Sequence, residues 1–148
     1  MANFVYTYAK SKMMSGDIDL NSHDIRAILV MTNTTADTEA DAQFVGSLTT
    51  LDEMDGTGYT RQTLTGEAVA VDTANNRGEF TADDHQFLNV SAGTRTIAGL
   101  VLYRHVTNDA DSPLIAYIDT GASLTFPLVA NGGSITVVAN AEGLVQVT

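Results

Sequence analysis

The chain has 148 residues, enough for one domain that buries roughly two thirds of its unfolded surface without covalent staples. It contains no Cys, which removes disulfides, thiolate metal sites and thiol nucleophiles together and suits assembly in a reducing cytoplasm. Its 18 acidic against 7 basic side chains give a formal charge of −11, and without a Lys/Arg cluster this charge opposes contact with phosphate backbones, so no nucleic acid is expected as a partner.

Taken in chain order, Phe4 to Met14 places Val5, Tyr8, Ala9 and Met13 at helical spacing, with Lys10 and Lys12 near its end and Gly16 beyond. A short amphipathic helix is expected. Phe4, Tyr6 and Tyr8 also alternate, which fits an extended arm that joins a neighbour's sheet. After the polar turn Asp17 to Asp24, the apolar run Ile25 to Met31 ends at Thr32-Asn33-Thr34-Thr35 and reads as a buried strand. The segment 36–58 is irregular and reads as a long surface excursion with one helical turn. Alternation returns from Tyr59 to Leu64 and from Glu67 to Val71, where Val69 and Val71 share a face, and the turn Asn75 to Gly78 leads to Phe80. His85 to Val90 supplies another strand. Ile97 to Tyr103 is apolar on both faces, as in a central strand covered on two sides. Leu114 to Ile118, Ile135 to Ala139 and Leu144 to Val147 complete the set.

These segments predict a mainly β fold, an antiparallel, jelly-roll-like β-sandwich of about eight short strands with a short N-terminal helix or arm. The expected division is 1–16 for the helix or arm and 17–148 for a single β-sandwich domain. No internal period marks a solenoid or propeller. No apolar run reaches the roughly 18 residues of a membrane span, and the N-terminus lacks the features of a secretory signal. A soluble chain that is not exported by that route, with no membrane partner, is therefore expected.

Chemistry-bearing motifs fail on their context. Asp119-Thr120-Gly121-Ala122 after an apolar strand has the form of an aspartic-protease loop, in which two such loops share a proton. Only 27 of the 148 residues follow Gly121, and they hold no branched apolar pair before Gly to pack beneath such a loop. His23, His85 and His105 are scattered singly, with no second His or Cys at metal-ligand spacing, no Gly-x-Ser-x-Gly occurs, and Gly56-Thr57-Gly58 and Gly132-Gly133 precede extended segments rather than helices. An EF-hand loop built on Gly56 places Leu51 and Gln62 where acids are needed. Asp17, Asp19 and Asp24, and likewise Asp109 and Asp111, read as solvated turns. No catalytic, cofactor-binding or metal residue is expected, and no cofactor.

One ordered set of segments carries a resemblance. Ser15-Gly16-Asp17-Ile18-Asp19 follows a short helix, then come Asp24 to Met31, a polar excursion, Ala98 to Tyr103, Ser112 to Thr120 and Asn131 to Val137. In this order they resemble a group of small structural proteins of tailed bacteriophages, most specifically over Ser112 to Thr120 and Asn131 to Val137. The resemblance implies a virion component, a capsid decoration or cement protein on the outer capsid surface, made in the host bacterial cytoplasm, that binds between subunits of the phage major capsid protein and stabilises the expanded head. A tail or neck structural protein, or a glycan-binding sandwich on the virion surface, is the alternative. Such a protein works by burying surface and is not an enzyme. It is also expected to form a homo-oligomer, with a trimer ahead of a dimer. The aromatic and Met side chains of Phe4, Val5, Tyr6, Tyr8, Met13 and Met14 are the candidate partner contacts.

Overall fold

The computed structural model describes residues 3–121 and 123–148, so Ala122 of the protease-like tetrapeptide lies outside the described residues. In chain order the elements are β1 (Phe4–Val5), α1 (Thr7–Met14), β2 (Ile25–Met31), a 3-10 turn (Val45–Ser47), β3 (Gln62–Thr63), β4 (Ala68–Asp72), β5 (Arg77–Thr81), β6 (His85–Phe87), β7 (Ile97–Arg104), β8 (Leu114–Ile118), β9 (Thr120–Gly121), β10 (Leu124–Thr125), β11 (Ile135–Val137) and β12 (Val145–Val147). All strand pairs are antiparallel, and the chain folds as a mainly β, sandwich-like domain.

The central sheet runs β1-β8-β7-β2-β3. Its three middle strands are the three longest apolar runs of the chain, and both of their faces are covered: all five residues of β8 are buried, as are six of the seven in β2. A strand wetted on one face alternates apolar with polar, whereas Ile28-Leu29-Val30-Met31 and Leu100-Val101-Leu102-Tyr103 do not. Each such Leu, Ile or Val contributes roughly 1.5–3 kcal/mol by leaving water. Beside this sheet lie a three-stranded sheet, β12-β5-β4, and two short ribbons, β11-β6 and β10-β9. The strand β12 lies against β1, β6 against β3, and α1 packs on β8.

The expected short N-terminal helix is present, at Thr7–Met14, and a strand precedes it. Strand and helix occur in series: Phe4 pairs with Tyr117 and Val5 with Ala116 of the same chain, and the helix starts only at Thr7. The aromatic alternation therefore marks a strand added to the chain's own sheet. Val5, Tyr6 and Ala9 belong to the same buried cluster as β7, β8, Phe80 and Val145, so the N-terminal segment is part of the core rather than an appended arm.

The excursion 36–58 is tied down at intervals. Phe44 bridges Pro113 and Glu53 bridges Val30, while Val45 and Met54 are buried. Gly56 is required where this loop meets residue 91, because a Cβ there would lie 2.0 Å from the Ser91 carbonyl oxygen. The strand expected over Tyr59–Leu64 is reduced to Gln62–Thr63. The Tyr59 N–H closes a turn onto the Gly56 carbonyl, and its ring stacks on Phe87, so the chain curls inward before it can extend.

Candidate binding surface

Alternation in the hairpin β4-β5 and in β12 sorts their side chains by face. Val69, Phe80 and Val145 lie side by side across the three strands, and Val71, Gly78 and Val147 form the next row of the same parity. Ala70, Glu79 and Gln146 form the row between them, on the opposite face. The apolar face looks toward the end of α1. Between them lies a groove of about 500 Å³, walled by Lys10, Met13, Met14 and Leu20 on one side and by Val69, Phe80, Val145 and Val147 on the other. It continues past Met13, Leu20 and Val69 into a second depression of about 380 Å³ along Gly16 to Asn21. Met14 is 84% exposed, Val71 79% and Val69 50%, so large apolar side chains gather on the surface of an otherwise acidic chain. Contiguous apolar patches of this kind mark interaction sites in soluble proteins.

The six expected partner contacts divide accordingly. Tyr6 is fully buried, its hydroxyl donating to the Ala36 carbonyl at 2.7 Å, and Val5 is buried beside β8. Neither can touch a partner, because both complete the chain's own core. Phe4 is half-buried, stacked on Tyr117 and edge-on to Tyr6, and Tyr8 packs on Phe44 with Lys12 over its ring. Met13 and Met14 do reach the surface and form a wall of the groove. The other wall, Val69, Phe80, Val145 and Val147, was missed as a site. Its only sequence signal is the shared face of Val69 and Val71, which in most strands marks the buried side.

The ionisable clusters are structural. Asp72, Glu79 and Glu142 place carboxylate oxygens within 4.8 Å of one another, the one such group among the described residues. The Arg77 guanidinium already sits among them, 3.1 Å from Asp72, 2.9 Å from Glu79 and paired with Glu142, so the site has its own cation and suits no metal ion. Arg61 joins Glu53 at 2.7 Å to Asp109 at 2.6 Å and lies over the Tyr103 ring. These carboxylate bonds raise the Arg61 pKa further, and Arg61 holds the Asp109 carboxyl below its usual range. Burial and the charge of Glu53 push the Tyr59 hydroxyl well up, and burial does the same for Tyr6 and Tyr117. All three stay protonated and act as donors.

Among the described residues the group of closely spaced ligating side chains, Asp72, Glu79 and Glu142, includes none of the three histidines. His85 is buried at the edge of Phe87, and burial lowers its pKa. Asp119 lines a depression of about 340 Å³ with Asp37, Tyr117 and Pro127. Its main chain is clasped by Asn3, whose side-chain oxygen accepts from the N–H groups of Asp119 and Thr120. The next residues, Thr120 and Gly121, pair with Thr125 and Leu124 in a β-ribbon. No helix of the described residues is long and apolar enough to cross a membrane. Comparison with protein-family models, curated proteins and solved structures finds no match to this chain.

Proposed function

We propose that this chain is a virion structural protein of a tailed bacteriophage, a capsid decoration or cement protein that binds between major-capsid subunits and stabilises the expanded head from outside. The observation that carries the reading is the apolar groove between α1 and the β12-β5-β4 sheet, open to solvent on a strongly acidic chain. It is supported by the ordered likeness of Ser112 to Thr120 and Asn131 to Val137 to small phage structural proteins. Covering Met14, Val69 and Val71 yields roughly 1.5–3 kcal/mol for each side chain taken fully out of water. That is the form of energy a seam-filling protein uses, and it requires no turnover. The acidic remainder disfavours adhesion to DNA and to anionic cell surfaces.

The test mixes purified protein with expanded shells that lack it, counts bound copies and compares the heat resistance of decorated and bare shells. Binding that scales with the number of capsid subunits and raises the disruption temperature is expected. Replacing Met14 and Val69 together by Ser should weaken binding at least tenfold while the free protein melts within about 2 °C of the parent. A few copies confined to one vertex or to tails would replace this reading with the neck or tail alternative. Cell binding without shells would favour a glycan-binding role.

A further inference from the structure

We propose that β4 is a self-pairing edge, so that two copies of the chain join β4 to β4, antiparallel, across a two-fold axis at Ala70. The inference stands on the outer sheet alone and is independent of any role in a virion.

The strand ends the β12-β5-β4 sheet, and its residues Ala68 to Val71 are all exposed. The opposite end of this sheet, β12, lies against β1, and the far end of the central sheet, β3, lies against β6. Exposed edges normally carry a Lys, a Pro, a bulge or an inward-pointing charge that blocks further pairing. Ala68-Val69-Ala70-Val71 has none of these, and its register with β5 is unbroken from Ala68 to Asp72. Its one charge, Asp72, is held by Arg77.

The register follows from symmetry. Pairing about Ala70 sets Val69 of each copy opposite Val71 of the other, and Ala68 opposite Asp72, so no charge faces a like charge although each copy carries −11. The parity of the faces is preserved. The four valines then form one apolar patch of two adjacent cross-strand pairs, on the face that lines both grooves, while the Glu79 rows stay on the opposite face. The two Glu79 residues would be separated by three strand spacings, about 14 Å, beyond the roughly 8 Å screening length at physiological salt. Pairing supplies about four to six backbone hydrogen bonds. Five-residue strands span only about 17 Å, which buries much less than the roughly 800 Å² per partner of a standard interface. The dimer is accordingly weak, with a dissociation constant in the micromolar range or above.

Because the native chain lacks Cys, a single introduced thiol reports the register. A70C places its Cβ roughly 4.5–5.5 Å from its symmetry mate, whereas A68C lies about 14 Å from its own. Under mild oxidation the A70C chain should be captured as a disulfide dimer at least tenfold faster than A68C. The native chain should sediment progressively faster as its concentration rises, and V71K should abolish that rise without lowering the melting temperature by more than about 2 °C. Equal oxidation rates, faster capture of A68C, dimers that persist in V71K, or a native chain that stays monomeric at millimolar concentration would each overturn the proposal.

Discussion

Replacing Arg61 by Met removes the charge that holds two distant loops together and keeps much of the side-chain volume. Arg61 contacts Glu53 through two of its nitrogens, at 2.8 and 2.7 Å, and Asp109 through two, at 2.6 and 2.9 Å. Hydrogen bonds to charged groups contribute about 1.5–3 kcal/mol each when sheltered, and breaking a fully buried pair costs about 3–5 kcal/mol. The cluster is only part-sheltered, with side-chain exposures of 23% for Arg61, 27% for Glu53 and 41% for Asp109, so solvent screening reduces the expected loss to about 2–3 kcal/mol. In a chain of this size that corresponds to a fall of roughly 5–12 °C in melting temperature. The sign of the pH dependence follows from Asp109, whose pKa is lower in the fold than in the unfolded chain. Its contribution is present above the unfolded carboxyl pKa of about 4 and is lost as pH falls through the folded value. Urea unfolding of R61M and the parent should therefore differ by the full amount at pH 7 and draw together as pH falls from about 4 through the folded Asp109 value. Loss of less than roughly 0.5 kcal/mol at pH 7, the size of a neutral surface change, would refute the reasoning. So would an equal loss when R61M is made in the E53Q/D109N background, where the partners' charges are already gone.

Tyr6→Phe leaves the buried Ala36 carbonyl without its 2.7 Å donor and should cost about 1–3 kcal/mol in chemical denaturation. Gly99→Ala would place a Cβ 2.6 Å from the Tyr117 hydroxyl oxygen and 2.7–2.8 Å from ring carbons, so a loss of about 1–3 kcal/mol with a displaced Tyr117 ring signal is expected by NMR. Burial lowers the His85 pKa, so below about pH 6.5 the unfolded chain takes up a proton that the folded chain resists. Stability of the parent should therefore decline as pH falls from 6.5 toward the folded value, and His85→Leu should flatten that part of the profile in melts recorded between pH 7.5 and 5, a range set by the roughly 6.5 reference value.

Local pattern sufficed for β2, β7 and β8. Apolar runs of five to seven consecutive residues admit few alternatives, and a run apolar on both faces must be covered on both. The same logic located the β4-β5 hairpin, because Asn75-Asn76-Arg77-Gly78 between two alternating runs signals a turn; the turn itself spans 73–76, where Asn76 takes a left-handed φ of 54°, and Arg77 and Gly78 already belong to β5. The overall class followed from these elements without long-range information. The ends of the short strands did not, since two-residue β1 and β3 exist only through the partners they pair with.

The surface needed the whole fold. Tyr6 and Met14 both belong to one N-terminal segment, yet the first is fully buried, closed over by β8 and Ala36, and the second is 84% exposed. The walls of the groove lie far apart in the chain, Met13 and Met14 against Val145 and Val147, and Arg61 reaches across 48 positions to Asp109. Periodicity reports which side of an element is apolar. Whether that side meets the interior or water depends on which distant segment folds onto it, and that is a property of the packed chain as a whole.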